Sequence, residues 1–231
     1  MNLSTCKVAK LMKHRMLLKN GLGLKIFCLF VIFACFSIVN YMASIKIRPA
    51  NEHDAPIIAR CVLAAMEIFD IDAIVPDKMM PMVKNIELAA TDDKRLYSCT
   101  NSIIAEADGV PVGCIISYDG GNYAALRKRT FDILYEESGL DLRDNPMETA
   151  SGEYYLDCMA IRHKYRGRGI GHLLMKAAIE QGKALGIKRF TLLVEKSHKS
   201  LGDYYARLGF APKEEIYAFG TDYVKMEYLS E

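Results

Sequence analysis

The sequence has no cysteine or histidine pair at metal-ligand spacing, neither C-x-x-C nor H-E-x-x-H. Its seven cysteines are scattered and odd in number. That argues against a disulfide scaffold or a zinc site and for buried thiols in a reducing compartment, with no metal expected. No G-x-x-x-x-G-K-[ST] occurs, which excludes the nucleoside-triphosphate loop. Internal repeats and low-complexity tracts are also missing, so solenoids and disordered linkers are set aside.

Negative charge is missing from one end. No acidic residue precedes Glu52, whereas Lys7, Lys10, Lys13, Arg15, Lys19 and Lys25 stand before an uncharged run over 26–45. Remove those six cations and the remaining 24 basic residues face 28 acidic ones. The folded remainder is therefore slightly acidic and offers no electrostatic footprint for nucleic acid.

The apolar run is about 20 residues long, enough to cross a bilayer. No small-x-small cleavage site follows it cleanly, which weakens the signal-peptide reading. Two readings stay open for residues 1–44: a leader ahead of a true start at Met42, or a single-pass membrane anchor. Positive charge before the run would place everything after an anchor outside the cytoplasm.

From residue 45 the pattern is that of a single α/β domain. Ile45–Pro49 alternates as a half-buried strand, and Asn51 or Asp54 can cap a helix with Pro56 in its first turn. A second helical stretch runs over 77–89. Two apolar strands flank Asp108-Gly109, a two-residue hairpin signal. Residues 119–151, helical from Tyr123 to Glu137 and then polar and irregular, make an unusually long connection to the next strand, Glu153–Ile161. A helix near 169–185, strands at 190–194, 215–219 and 223–228, and a short helix at 199–208 complete a mixed sheet flanked by helices.

Between the 153–161 strand and the next helix stands Arg166-Gly167-Arg168-Gly169-Ile170-Gly171-His172. Glycines after a strand let the backbone come close to a ligand, and the unpaired N–H groups of a first helical turn attract anions. A dinucleotide fingerprint would need a third glycine where His172 stands. The remaining pattern, Arg166-x-x-Gly169-x-Gly171, resembles the acyl-CoA pyrophosphate loop of the GNAT superfamily of N-acetyltransferases. Tyr205-Ala206-Arg207-Leu208-Gly209-Phe210 resembles the Y-x-x-x-G-F that closes the last helix of many members. The element order over 45–231 is also similar to the GNAT fold, with a helical insertion between strands 3 and 4. Two departures occur: His163 replaces the usual proline before the loop, and His198 stands where many members have asparagine.

The resemblance implies direct transfer of acetyl from acetyl-CoA to a primary amine of a small molecule or peptide. Such an amine is mostly protonated at neutral pH, so a carboxylate must take its proton. Strand alternation puts Glu153, Tyr155, Asp157, Met159 and Ile161 on one face, making Glu153 and Asp157 the candidate bases. Family members with a glutamate near the start of this strand favour Glu153. By the same resemblance, backbone N–H groups at Met159, Ala160 and Ile161 polarise the thioester carbonyl. Main-chain groups from Arg166 through Gly167, Arg168, Gly169 and Ile170 to Gly171 bind pyrophosphate, with His172 beside them and His198 near the pantetheine arm. Tyr205 is expected to protonate the departing thiolate. A cytosolic co-substrate implies a cytoplasmic enzyme. The departures and the insertion leave open a coenzyme-binding sensor without turnover, the apolar run leaves open a membrane-anchored acyltransferase, and a homodimer is likewise open.

Overall fold

Asn51 opens the helical part of the fold. Its side chain accepts from the N–H of His53, while the Asp54 carboxylate accepts from the N–H of Asn51, a reciprocal capping box. Helix α1 (Ala55–Ala65) follows, with Pro56 in its first turn, and α2 (Met80–Ala90) packs on it. Strand β1 (Ile45–Pro49) pairs with β2 (Ser102–Ala107), and β2 with β3 (Val110–Asp119), all antiparallel. Asp108 and Gly109 take φ values of 49° and 82° at the hairpin tip, the left-handed pair that a type I′ turn requires.

These elements belong to a computed structural model that describes Ser44–Glu231, which forms one compact unit. The basic cluster and nearly all of the 26–45 run lie outside the described residues. Among the described residues no helix is long and apolar enough to cross a membrane.

Seven strands lie in the order β1-β2-β3-β4-β5-β7-β6. Beyond the first three they are β4 (Glu153–Ile161), β5 (Arg189–Glu195), β6 (Ala211–Ala218) and β7 (Thr221–Leu229). Only β4 and β5 run parallel. One face carries α1, whose Ile58, Val62 and Leu63 are buried with Ile104, Cys114, Ile116, Tyr155 and Cys158 from the sheet. Helix α3 (Tyr123–Ser138) packs against α2 and ends at Gly139, whose φ of 71° supplies a left-handed cap.

Helix α4 (Ile170–Ala184) covers the opposite face. A Cβ on Gly182 would lie 2.5 Å from the Phe190 ring and 2.7 Å from the Tyr154 ring, so the helix seats flush on two aromatic side chains. Such close packing depends on having no side chain there.

Two features of the sheet shape the site. The register slips where Ile116 pairs with Cys158 but Ser117 pairs with Leu156, leaving Asp157 as the extra residue of a β-bulge. The parallel pairing is also brief, covering only Glu153, Tyr154 and Tyr155 against Arg189, Phe190 and Thr191. Beyond Tyr155 the two strands separate and leave a cleft.

The bulge corrects the expected face assignment. Tyr155 lies on the α1 side, and Cys158 and Ala160 continue that face. The Met159 and Ile161 side chains approach Gly171 of α4 instead. An extra residue inverts the alternation for everything after it.

The 119–151 insertion lies where the sequence places it. Its ends meet closely: a Cβ on Gly120 would fall 2.3 Å from the Ala150 carbonyl. Arg127 donates to the carbonyls of Leu142, Arg143 and Asn145, and the Asn145 side chain accepts from the N–H of Phe219, tying the insertion to the β6–β7 turn. Strand β6 starts at Ala211, earlier than expected, because its Ala-Pro-Lys-Glu-Glu segment is an exposed edge with no apolar alternation to mark it.

Candidate active site

The cleft has β4 from Leu156 onward as one wall and β5 from Leu192 onward as the other, since neither stretch pairs with the other. Asp157, Met159, Ala160 and Ile161 each keep accessible surface along this wall, in a sheet whose central positions are otherwise buried. Main-chain groups at Met159–Ile161 have a strand partner only on the β3 side.

At one end of the cleft is the glycine turn. Gly167 and Gly169 have φ values of 72° and 77°, a conformation that side chains rarely adopt. Gly169 is the N-cap of α4 and offers no side-chain cap; the first helical bond runs from the N–H of Leu173 to the Gly169 carbonyl. The N–H groups from Gly167 to His172 have no acceptor among the described residues. Arg166 differs from expectation. Its N–H bonds the His163 carbonyl at 3.1 Å and its Nε the Ile161 carbonyl at 2.9 Å, so its backbone is committed to the turn. The Arg168 guanidinium lies 5.4 Å from the Tyr165 ring centre. A row of unpaired donors at a helix N-terminus, flanked by these cations, fits a pyrophosphate.

Helix α5 (Lys199–Arg207) closes the other wall. The Tyr204 hydroxyl reaches to 3.1 Å from where a Cβ on Gly171 would be, in contact with the first turn of α4. The Tyr205 ring is buried against Phe210 and Tyr204, at centroid distances of 6.1 and 5.3 Å. Burial lifts its phenol well above the usual tyrosine range, and the neighbouring Tyr204 and Cys158 add to this. Its hydroxyl makes no hydrogen bond among the described residues.

Asp157 is partly exposed at the cleft wall, with its carboxylate held from the core side. The Tyr118 hydroxyl donates to one oxygen at 2.8 Å and the Cys158 thiol to the other at 3.2 Å. Burial raises its pKa in spite of both donors. Close by is a carboxylate that sequence reasoning missed. Glu148 accepts from Tyr123 at 2.6 Å and from Tyr155 at 2.8 Å. Burial pushes its pKa up to about 7, aided by the charge on Asp157 and opposed by the two phenol donors and Arg127. Nothing in the 138–151 segment marked it, since an irregular polar stretch has no periodicity to show which side chain turns inward.

Glu153 does not behave as expected of a base. Its carboxylate accepts from Thr149, Thr191 and Lys225 at 2.9, 3.2 and 2.8 Å, with Lys213 at 3.6 Å. Burial alone would raise its pKa, but Lys225, Thr149 and Lys213 hold it below the glutamate range. A carboxylate so engaged is a poor proton acceptor and a strong tie between β4 and β7. Its stabilising effect is complete at neutral pH and is lost only as acid drives the pH through its depressed pKa. Glu153→Gln is expected to cost about 3 kcal/mol, because it leaves the buried Lys225 with only Glu214, 3.8 Å away, as a charged partner. Urea unfolding at pH 7 measures this.

The two histidines that depart from the family pattern lie at the rim. His163 Nε2 is 2.7 Å from Asp70, and the His163 N–H donates to Asp72. His198 precedes α5 with Nε2 3.4 Å from Glu67. No contact of His198 with the glycine turn appears among the described residues.

Residues 65–210 match the model of the Acetyltransferase (GNAT) family. The thialysine N-epsilon-acetyltransferase of Sus scrofa is 28% identical over 173 residues, 73% of this chain and 85% of that protein. The N-alpha-acetyltransferase 30 of Schizosaccharomyces pombe is 32% identical over only 71 residues, 29% of this chain, and the chain spans 47% of its length. A crystal structure of an acetyltransferase superposes with a TM-score of 0.64 at 25% identity, covering 80% of this chain and all (100%) of that one. An N-acetyltransferase from Staphylococcus aureus Mu50 shares the fold with a TM-score of 0.66 at 23% identity, covering 79% of this chain and 99% of that one. A mixed sheet that splits beside a glycine turn is thus accompanied by a match over more than half the sequence. The chain belongs to the GNAT family of acetyltransferases and is an acetyl-CoA-dependent N-acetyltransferase.

Proposed function

We propose that the protein acetylates a primary amine carried by a small cationic acceptor, with Asp157 as proton acceptor and Tyr205 as proton donor. The observation that carries this is the cleft itself. It opens at Asp157, reaches the unpaired amides of Gly167–His172, and is lined between them by strand backbone free of a β5 partner. The amides and the Arg168 charge suit the coenzyme diphosphate, and N–H groups at Met159–Ile161 suit the thioester oxygen.

The steps balance as follows. Asp157 takes a proton from the ammonium, and the freed nitrogen attacks the carbonyl carbon of the thioester. The tetrahedral intermediate sheds a second proton from nitrogen as the C–S bond breaks. Tyr205 protonates the departing sulfur and is restored by that second proton, directly or through water. The elevated phenol pKa keeps Tyr205 protonated until a thiolate forms.

The acceptor class follows from charge. Glu67 and Glu195 come together beside His198, just ahead of α5. Two acids grouped there favour a cation. The pig relative's name specifies an ε-nitrogen acceptor, which is of the same chemical class. Because acetyl-CoA is a cytosolic metabolite, the reaction belongs in the cytoplasm.

The test uses the full chain with acetyl-CoA and a panel of diamines, lysine analogues and neutral amines, reading free thiol and acetylated product by mass. Cationic amines are expected to turn over fastest. Failure of coenzyme A to give binding heat by calorimetry would end this reading.

A further inference from the structure

Glu148 has no part in the steps above, yet it is among the most unusual titratable groups of the fold. It is 8% exposed, lies on the connection entering β4, and is bonded by two phenols. The three tyrosines that hold Glu148 and Asp157 form one packed group. Tyr118 stacks on Tyr123 with centroids 6.0 Å apart and planes 9° from parallel, and Tyr155 leans on both at 5.9 and 6.3 Å. Tyr118 donates to Asp157, while Tyr123 and Tyr155 donate to Glu148. Two carboxyls are thus fixed at the tips of a single aromatic cluster, with no lysine or arginine hydrogen-bonded to either among the described residues.

We propose that Glu148 and Asp157 work as one proton-accepting unit, in which Glu148 is a positioning residue that acts through Asp157. Two carboxylates in one low-dielectric pocket resist losing both protons, so the pair titrates jointly and its upper step belongs to neither group alone. Asp157 faces the cleft and receives the ammonium proton. The nearby negative charge of Glu148 makes Asp157 a stronger base than a solitary aspartate. The proton then rests on the pair and leaves to solvent between turnovers. General bases work best when matched to the ambient pH, and a lone aspartate falls well short of that.

The groups around the pair are accounted for. Cys61 comes from α1, Tyr97 from the segment before β2, and Tyr118 from β3. Tyr123 and Arg127 come from α3, Tyr155 and Cys158 from β4, and Tyr223 from β7. Arg127 is the cation among them, and its guanidinium is committed to three carbonyls of the insertion. The phenols and the Cys158 thiol are held neutral at physiological pH by burial, and the Cys61 thiol by its hydrogen bond with Cys114 together with burial.

This inference rests on the acetyltransfer reading for its role in catalysis, but the pair can be tested without turnover. Carbon-13 titration of the full chain is expected to show both carboxyls responding to a shared step near neutrality. In kcat/KM profiles, Glu148→Gln should move the acidic limb down by about one to three pH units, the usual effect of removing a like charge. Tyr155→Phe, which deletes a donor to the ionised carboxylate, should move that limb the other way. Coenzyme affinity by calorimetry should hold in both variants. If the limb stays in place while the rate merely falls, Glu148 is only structural and the proposal is overturned. Ordinary, independent carboxyl titrations would overturn it too, whether or not either variant folds. If no amine is acetylated, the acetyltransfer reading fails by itself and the carbon titration still decides the pair.

Discussion

Tyr205→Phe is expected to lower kcat by about 10²- to 10⁴-fold, the usual worth of a positioned proton donor, and to leave coenzyme A affinity unchanged. The phenylalanine ring would fill the same volume against Phe210 and Tyr204, so packing is preserved. Only the hydroxyl is lost, and it has no hydrogen bond among the described residues to be broken. The thiolate must then leave without a proton or wait for water. Pre-steady-state thiol release with calorimetric coenzyme binding separates the two quantities. Tyr204→Phe is the matched control. Its hydroxyl lies against the first turn of α4, so it should alter coenzyme affinity more than kcat. A protein that only senses acyl-CoA would have no rate to lose, and unchanged turnover in Tyr205→Phe would remove this residue from the mechanism.

Asp157→Asn is expected to cut kcat/KM at pH 7 by a comparable 10²- to 10⁴-fold. Asparagine is nearly isosteric and can still accept from Tyr118, so the bulge and the aromatic cluster should survive. What disappears is the group proposed to take the ammonium proton. The residual rate should climb steadily with pH, because at high pH the amine arrives already neutral and needs no base. Retention of the parent's acidic limb would show that proton removal happens elsewhere. Measuring kcat/KM from pH 6 to 10 with one cationic amine, alongside thermal melts to check folding, reads out both possibilities.

Much of this architecture is legible in the chain. The Asp108-Gly109 hairpin, the capped turn leading into α1, the glycine turn before α4 and the insertion after β3 all carry local signals: left-handed turn residues, caps and apolar periodicity. The paired glycine and tyrosine motifs also lie where the cleft places them. Other parts could not be read. A bulge needs a partner strand, so nothing within 153–161 announces that alternation inverts at Asp157. Glu153 and Asp157 look equivalent in sequence. They differ because Lys225, 72 positions away, comes to neutralise one, whereas tyrosines and a thiol surround the other. Glu148 was hidden for the same reason, since its partners Tyr123 and Tyr155 reach it only through the folded insertion.

The brief parallel seam at Glu153–Tyr155 also bears on endurance. Beyond it the strands form two panels on a short spine, braced chiefly near the closed end, where Lys225 meets Glu153. A coenzyme bound between the panels, as proposed, would touch both at once and have no counterpart in the unfolded chain. At a hundred times its Kd it would add about 2.7 kcal/mol to the native state. The donor of the acetyl group would then also be a splint, its supply governing how long each copy withstands heat and proteases as well as how fast it works.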